Sequence, residues 1–185
     1  MPPQTGQTRL ISMITAAIMP TLACAETVKT PGMCDHLAAL EADPGHTAAP
    51  VAFADIIPNA VITACLEAIA ASNGDEPRYF LQLGRGYLRG GEVDAALAAF
   101  TTAHDAGYPA ATFALGMMYF LGDDIAADHD RALRLFTKAH DQGVTYAALG
   151  LAEMHADPMS PHHDEAAAKQ WREIWRQQHT TPPRE

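Results

Sequence analysis

The sequence predicts an all-α protein, a right-handed α-solenoid of antiparallel helix hairpins with about eight helices. Two observations carry this prediction: a segment rich in Leu-Gly and Ala positions returns along the chain, and its apolar residues recur three and four positions apart. Glycines such as Gly107 and Gly143 follow the periodic segments, where a left-handed helix cap is expected. A length of 185 residues suits one ordinary domain.

Residues 1–25 are predicted to be a secretory signal peptide. Arg9 is the only charged residue before Glu26, and a mostly apolar run follows it. Ala23-Cys24-Ala25 has the small-x-small pattern of a signal peptidase site, so we expect cleavage before Glu26. In an alternative interpretation, Cys24 belongs to a lipobox and becomes a lipidated N-terminus. Both interpretations predict a periplasmic or secreted protein.

The charge of the exported chain is strongly negative. Without Arg9, the 12 basic residues become 11 against 22 acidic ones, and the formal net charge changes from −10 to −11. Nucleic acid is therefore not an expected partner. No later segment approaches the roughly 18 consecutive apolar residues that a membrane-spanning helix needs, so we expect no transmembrane segment.

Residues 26–76 are predicted to form an N-terminal helical region ahead of the repeats. It contains Cys34 and Cys65, and an even pair in an oxidising compartment favours a disulfide. The alternatives are two buried thiols and a zinc site that includes His36. Between the cysteines, prolines and a glycine in the stretch 41–53 interrupt any continuous helix, which indicates a long clamped loop.

Residues 77–185 are predicted to form about three helical-hairpin repeats and a capping helix. The copies begin at Leu83-Gly84, at Leu115-Gly116 and, in a weaker form, at Leu149-Gly150. A glycine inside a helix costs about 1 kcal/mol relative to alanine, so its return indicates tight helix crossing. The final helix, from about residue 162 to residue 178, is amphipathic, as a cap requires.

The second copy carries the clearest motif. Its matching positions are Ala111, Leu115, Gly116, Tyr119, Gly122, Ile125, Asp128, Ala132, Phe136, Ala139 and Gly143. This unit resembles the Sel-one-like repeat, a tetratricopeptide-like family, with Asp124 and Arg131 where Gly and Lys are usual. Residues 33–85 are also similar to the region found ahead of such repeats in exported bacterial proteins.

The resemblance implies a concave face, lined by the first helix of each hairpin, that binds a partner protein or peptide. The residues that it assigns to this face are Arg78, Gln82, Arg85, Arg89, Phe113, Met117, Phe120, Leu151 and Met154. Basic and apolar residues on one face predict a peptide with an acidic end and an apolar middle. In the alternative interpretation, the apolar residues pack against the adjacent hairpin and the arginines pair with local acids.

The sequence therefore predicts an exported protein-protein interaction scaffold rather than an enzyme, because no recognisable nucleophile motif is present. We expect no cofactor. One alternative is a cell-wall-ligand-binding or hydrolytic protein, since exported relatives of this repeat class have been linked to β-lactam ligands. Another is a metal binder that uses His155, His162 and His163. His162 and His163 are adjacent, and adjacent residues on a helix point about 100° apart, so both cannot easily face one ion. We therefore expect no metal site at these histidines.

Overall fold

A computed structural model describes residues 32–123 and 125–180. The predicted all-α fold is confirmed, since these residues form eight α-helices, one short 3-10 turn and no strand. The predicted signal peptide, with Cys24, and the departure at Asp124 lie outside the described residues. The helices are α1 (Met33–Ala38), α2 (Pro58–Ala71), α3 (Pro77–Arg89), α4 (Val93–Asp105), α5 (Pro109–Leu121), α6 (His129–Asp141), α7 (Tyr146–Ala156) and α8 (Glu165–Thr180).

Successive helices pack as hairpins, which stack into a solenoid. The hairpins are α3 with α4, α5 with α6, and α7 with α8, and each also contacts the next one along the chain. The first helices α3, α5 and α7 also contact one another in that order, so they form one common face. Before the hairpins, α2 packs on α3, and α1 packs on both.

Turn residues set the helix boundaries. Pro77 and Pro109 occupy the first positions of α3 and α5, where a missing N–H costs nothing. Gly107 and Gly143, which follow α4 and α6, have φ angles of 81° and 92°, as left-handed caps require. The Asp128 carboxylate accepts a hydrogen bond of 2.8 Å from the backbone N–H of Arg131 and caps the start of α6.

The repeated helical glycines lie where two helices approach most closely. A Cβ at Gly84 would be 2.5 Å from the ring of Phe100, and one at Gly116 would be 2.7 Å from the ring of Phe136. Gly150 meets the same Phe136 from the following hairpin, at 3.0 Å. The prediction of tight crossing at these glycines is therefore confirmed, and the groups that require it are Phe100 of α4 and Phe136 of α6.

The N-terminal region is joined to the rest by a disulfide and by a long loop. Cys34 in α1 and Cys65 in α2 form the predicted disulfide, and both are fully buried. Residues 39–52, here named the crossing loop, contain no helix and lead into a 3-10 turn at Phe53–Asp55. None of the described helices combines the length and apolar character needed to cross a membrane.

Candidate binding groove

Polar side chains at the start of α3 hold helix α1 through one buried carboxylate. Asp35 is fully buried, and its Oδ1 lies 3.1 Å from Nε of Arg78. Gln82 donates to the same oxygen at 2.9 Å, and the backbone N–H of Gly32 donates to Oδ2 at 2.8 Å. Burial alone would raise the pKa of Asp35, but these hydrogen bonds and the charge of Arg78 bring it below its ordinary value.

Arg85, further along α3, binds the main chain of the N-terminal segment. Its Nη1 donates to the carbonyl oxygens of Ala38 and Ala39, both at 2.7 Å, and its Nη2 donates to that of Val51 at 2.8 Å. Burial lowers the pKa of Arg85 to about 10, so the guanidinium stays charged at neutral pH. No carboxylate of the described residues forms an ion pair with it. The crossing loop is thus held by its backbone at both ends.

Two tyrosines fix the middle of the crossing loop over the next two hairpins. Tyr108, just before α5, donates its hydroxyl to Oδ2 of Asp43 at 2.6 Å, and the N–H of Gly45 donates to Oδ1 at 2.8 Å. Burial raises the pKa of Asp43 in spite of these hydrogen bonds. Tyr146, at the start of α7, packs against the core cluster that contains Ala42 of the loop. Burial and the nearby side chain of Glu41 raise the pKa of Tyr146. The crossing loop therefore lies against all three hairpins.

This arrangement corrects the prediction for five of the residues assigned to the concave face. Arg78, Gln82 and Arg85 are only 5%, 1% and 6% exposed, because they bind α1 and the crossing loop. Leu151 and Met154 are 1% and 0% exposed, because they pack with Phe136 in the core. The expectation that these five side chains are exposed to a partner is wrong, and of the five only Arg85 reaches the lining of a cavity on this face.

The other four assigned residues have different surroundings. Arg89 is exposed at the end of α3, away from the loop contacts. Phe113, Met117 and Phe120 on α5 are half-buried and pack against the core cluster that contains Phe136. The ring centroids of Phe113 and Phe120 lie 5.8 Å and 6.1 Å from that of Phe136. Their inner edges therefore pack as the alternative interpretation predicts, while part of each side chain stays accessible.

Two adjoining cavities, here named the open groove, lie on the part of this face that the crossing loop leaves uncovered. They share Phe113, Met117 and Leu121 on α5 as a common wall. The first cavity encloses about 190 Å³ between the loop, α3 and α5, and the second about 590 Å³ between α5 and α7. Other lining residues include Leu40, Phe53, Leu88 and Asp123 in the first cavity and Tyr146, Leu149, Glu153 and Asp157 in the second.

Sequence reasoning missed several of these lining residues. Leu121 lies four positions after Met117 on α5, so extending the apolar stripe by one turn would have found it. Its side chain is 54% exposed, more than expected for a leucine at the end of a buried stripe. Leu40 and Phe53 come from the N-terminal segment, where no periodicity shows which hairpin they will contact.

Two histidines of the C-terminal hairpin form hydrogen bonds within the α7–α8 loop and to helix α6. Nδ1 of His155 lies 2.7 Å from the carbonyl oxygen of His162, whose Nε2 is 2.8 Å from the carboxylate of Asp130. Within residues 32–123 and 125–180, no group of three or more His, Cys, Asp or Glu side chains is placed to hold a metal ion. These contacts connect the α7–α8 loop to the start of α6.

Comparison with known proteins supports the fold. No protein-family model and no curated protein matches the sequence. Among solved structures, the crystal structure of a Sel1 repeat protein from Oxalobacter formigenes matches with a TM-score of 0.53 and 22% sequence identity. The match covers 66% of this chain and 59% of that one. The chain thus has a Sel1-repeat fold, which confirms at the level of architecture the resemblance seen in the second repeat.

Proposed function

We propose that this chain is an exported scaffold whose open groove binds a segment of a partner protein. The observation that carries the proposal is that the face formed by α3, α5 and α7 already holds a non-helical segment of polypeptide, the crossing loop. Arg85 binds two main-chain carbonyl groups of that loop and a third at the end of α1, a kind of contact that any peptide can make. Beside the loop, the same face continues as an uncovered apolar groove.

The apolar residues of the open groove are suited to anchoring side chains of a partner. Leu121 and Phe53 are 54% and 45% exposed, and Met117 and Phe113 between them are half-buried. Each fully buried aliphatic or aromatic side chain contributes about 1.5 to 3 kcal/mol, so a few anchors suffice for a specific complex. The second cavity, at about 590 Å³, is within the usual size range of binding pockets.

Export is part of the proposal. A structural disulfide such as Cys34–Cys65 persists in oxidising compartments, which agrees with the predicted signal peptide. We propose residues 1–25 as the signal, residues 26–76 as the N-terminal helical region and residues 77–185 as the repeats and cap. Intact-mass measurement of the protein recovered from its own cells tests this, since cleavage before Glu26 and lipidation at Cys24 give different masses. Recovery with residues 1–25 still attached would contradict export.

Binding is tested by changing one exposed leucine inside the open groove and one outside it. Leu121→Glu places a charge in the shared wall of both cavities, while Leu66→Glu changes a leucine on α2 that is 46% exposed and lines neither. Proteins cross-linked to the native chain in its cell envelope are identified, purified and titrated against each variant by calorimetry. We expect a purified partner that binds the native chain and Leu66→Glu equally and Leu121→Glu at least about tenfold more weakly.

A partner whose affinity is the same for all three proteins would bind elsewhere, and the assignment of the open groove would then be wrong. If no purified candidate binds the native chain, the scaffold function fails as a whole. The proposal gives the chain no chemistry of its own, and no observation on the described residues favours the hydrolytic or metal-binding alternative.

A further inference from the structure

The charged residues around the open groove are mainly acidic. Asp123 lines the first cavity, and Glu153 and Asp157 line the second. Glu41 of the crossing loop adds a further carboxylate near the second cavity, since burial and the nearby side chain of Glu41 raise the pKa of Tyr146 in its wall. Carboxylates therefore lie on both sides of the apolar wall that α5 provides.

Of the three basic residues that the sequence assigned to this face, Arg89 is exposed and lines neither cavity, while Arg78 and Arg85 are occupied within the molecule. Arg78 is ion-paired with Asp35 and with Glu76, at 3.1 Å and 2.7 Å. Arg85 is the one cation among the described lining residues of either cavity, and it is buried against main-chain carbonyl groups. Neither arginine is placed to neutralise the carboxylates at the groove.

The acidic residues of the open groove, in contrast, are weakly paired. No cation of residues 32–123 or 125–180 forms an ion pair with Asp123 or Asp157. Glu153 lies 3.6 Å from Arg172, but the two side chains are 54% and 41% exposed. Exposed pairs of this kind contribute little, because water and salt screen them and both side chains lose freedom. The carboxylates at the groove are thus available to an incoming positive charge.

We infer that the partner segment carries an apolar anchor with lysine or arginine residues on both flanks. This inference rests on the proposed binding function and reverses the acidic partner that the sequence alone predicted. An acidic segment would place like charges opposite Asp123, Glu153 and Asp157, while a basic one is attracted by them and by the net charge of the whole chain. Complementary charge increases the association rate and disfavours wrong partners, and its effect falls as salt rises.

Two short fluorescent peptides test this chemistry without knowledge of the natural partner. Both have the same Leu- and Phe-rich centre, and one carries lysines on each flank where the other carries glutamates. Anisotropy titrations are made at ionic strengths of about 0.01 M and about 0.15 M, where the Debye length falls from about 30 Å to about 8 Å. We expect the Lys-flanked peptide to bind at least about tenfold more tightly at low salt, with a smaller difference at high salt.

Charge reversal assigns the preference to the groove. The double variant Glu153→Lys and Asp157→Lys is expected to remove or invert the preference for the Lys-flanked peptide. The matched double variant Glu67→Lys and Asp94→Lys, which changes exposed acids on α2 and α4, alters net charge equally and is expected to retain it. If both double variants lose the preference to the same extent, net charge causes it and the inference is overturned.

The two proposals fail in different ways. If the Glu-flanked peptide binds as tightly as the Lys-flanked one, and Leu121→Glu weakens both, the groove binds peptides but the inferred charge of the partner is wrong. If neither peptide binds the native chain at either salt concentration, the inferred occupant and the peptide-binding function of the groove both fail. Circular dichroism of each variant confirms that a lost interaction is not a lost fold.

Discussion

The concave face has a covered part on α3 and an open part on α5. The two parts differ in whether their side chains have partners within the molecule. On α3, Gln82 and Arg85 bind α1 and the crossing loop, and Arg78 binds α1 as well as Glu76 and Tyr79 beside it. That part is therefore a piece of the folded interior. On α5, Met117 and Leu121 remain partly or largely exposed. The difference teaches that the covered part contributes to folding, while the open part leaves apolar side chains accessible at the surface.

The largest effect is expected from breaking the covered part at Arg85. Arg85→Met removes three hydrogen bonds from a charged donor and leaves buried carbonyl groups unpaired, so we expect it to lower the free energy of unfolding by about 3 to 5 kcal/mol. Arg89→Met, on the same helix but exposed, is expected to change it by less than about 0.5 kcal/mol. Urea unfolding measures both. Equal effects would show that the contacts to the crossing loop do not stabilise the fold.

The disulfide is expected to matter somewhat less. It closes a segment with a sequence separation of 31 residues. Replacing both cysteines by alanine is therefore expected to lower the free energy of unfolding by about 2 to 4 kcal/mol. Because Arg85 still binds the loop, limited proteolysis is expected to cut residues 39–52 more slowly in this variant than in Arg85→Met. Faster cutting in the double-alanine variant would mean that the disulfide, and not Arg85, positions the crossing loop.

Asp35 in α1 and Asp43 in the crossing loop are both buried, and their contributions to stability are expected to depend on pH in opposite directions. The folded-state pKa of Asp35 is lowered, so its contribution to stability is present above the ordinary value of 3.8 and is lost as pH falls through the folded pKa. The pKa of Asp43 is raised by burial, so its contribution is present below 3.8 and is lost as pH rises through the folded pKa.

Urea unfolding of single variants between about pH 3 and pH 7 measures these contributions. Relative to the native chain, Asp35→Asn is expected to be most destabilising at neutral pH and less so in acid. Asp43→Asn is expected to become less destabilising as pH rises. The same slope for both variants would contradict the different surroundings of the two carboxyl groups.

The smallest effect on stability is expected in the open part. Leu121→Glu and Leu66→Glu both change exposed leucines, so each is expected to shift the free energy of unfolding by less than about 0.5 kcal/mol. A marked destabilisation by Leu121→Glu alone would mean that this leucine supports the fold. The open part of the face would then contribute to folding as the covered part does.

Local patterns in the sequence were enough to predict the helices and the disulfide. The recurring Gly84 and Gly116 mark close contacts within single hairpins, and such contacts join residues that are near in sequence. The crossing loop could not be placed in this way. Asp35 meets Arg78 across 43 residues and Val51 meets Arg85 across 34, and no periodic signal connects these positions. The sequence therefore predicts Arg78 and Arg85 at the surface, because their buried acceptors lie in a distant, aperiodic segment.

Leu40 and Phe53 have a consequence for the kinetics of association. Both belong to the N-terminal segment, yet both line the first cavity of the open groove. Their ordering entropy is lost once, when the chain folds, so the proposed partner segment would meet one wall already in place. We expect association as a nearly rigid encounter without a slow ordering phase, in which differences in affinity among partners arise mainly from their dissociation rates.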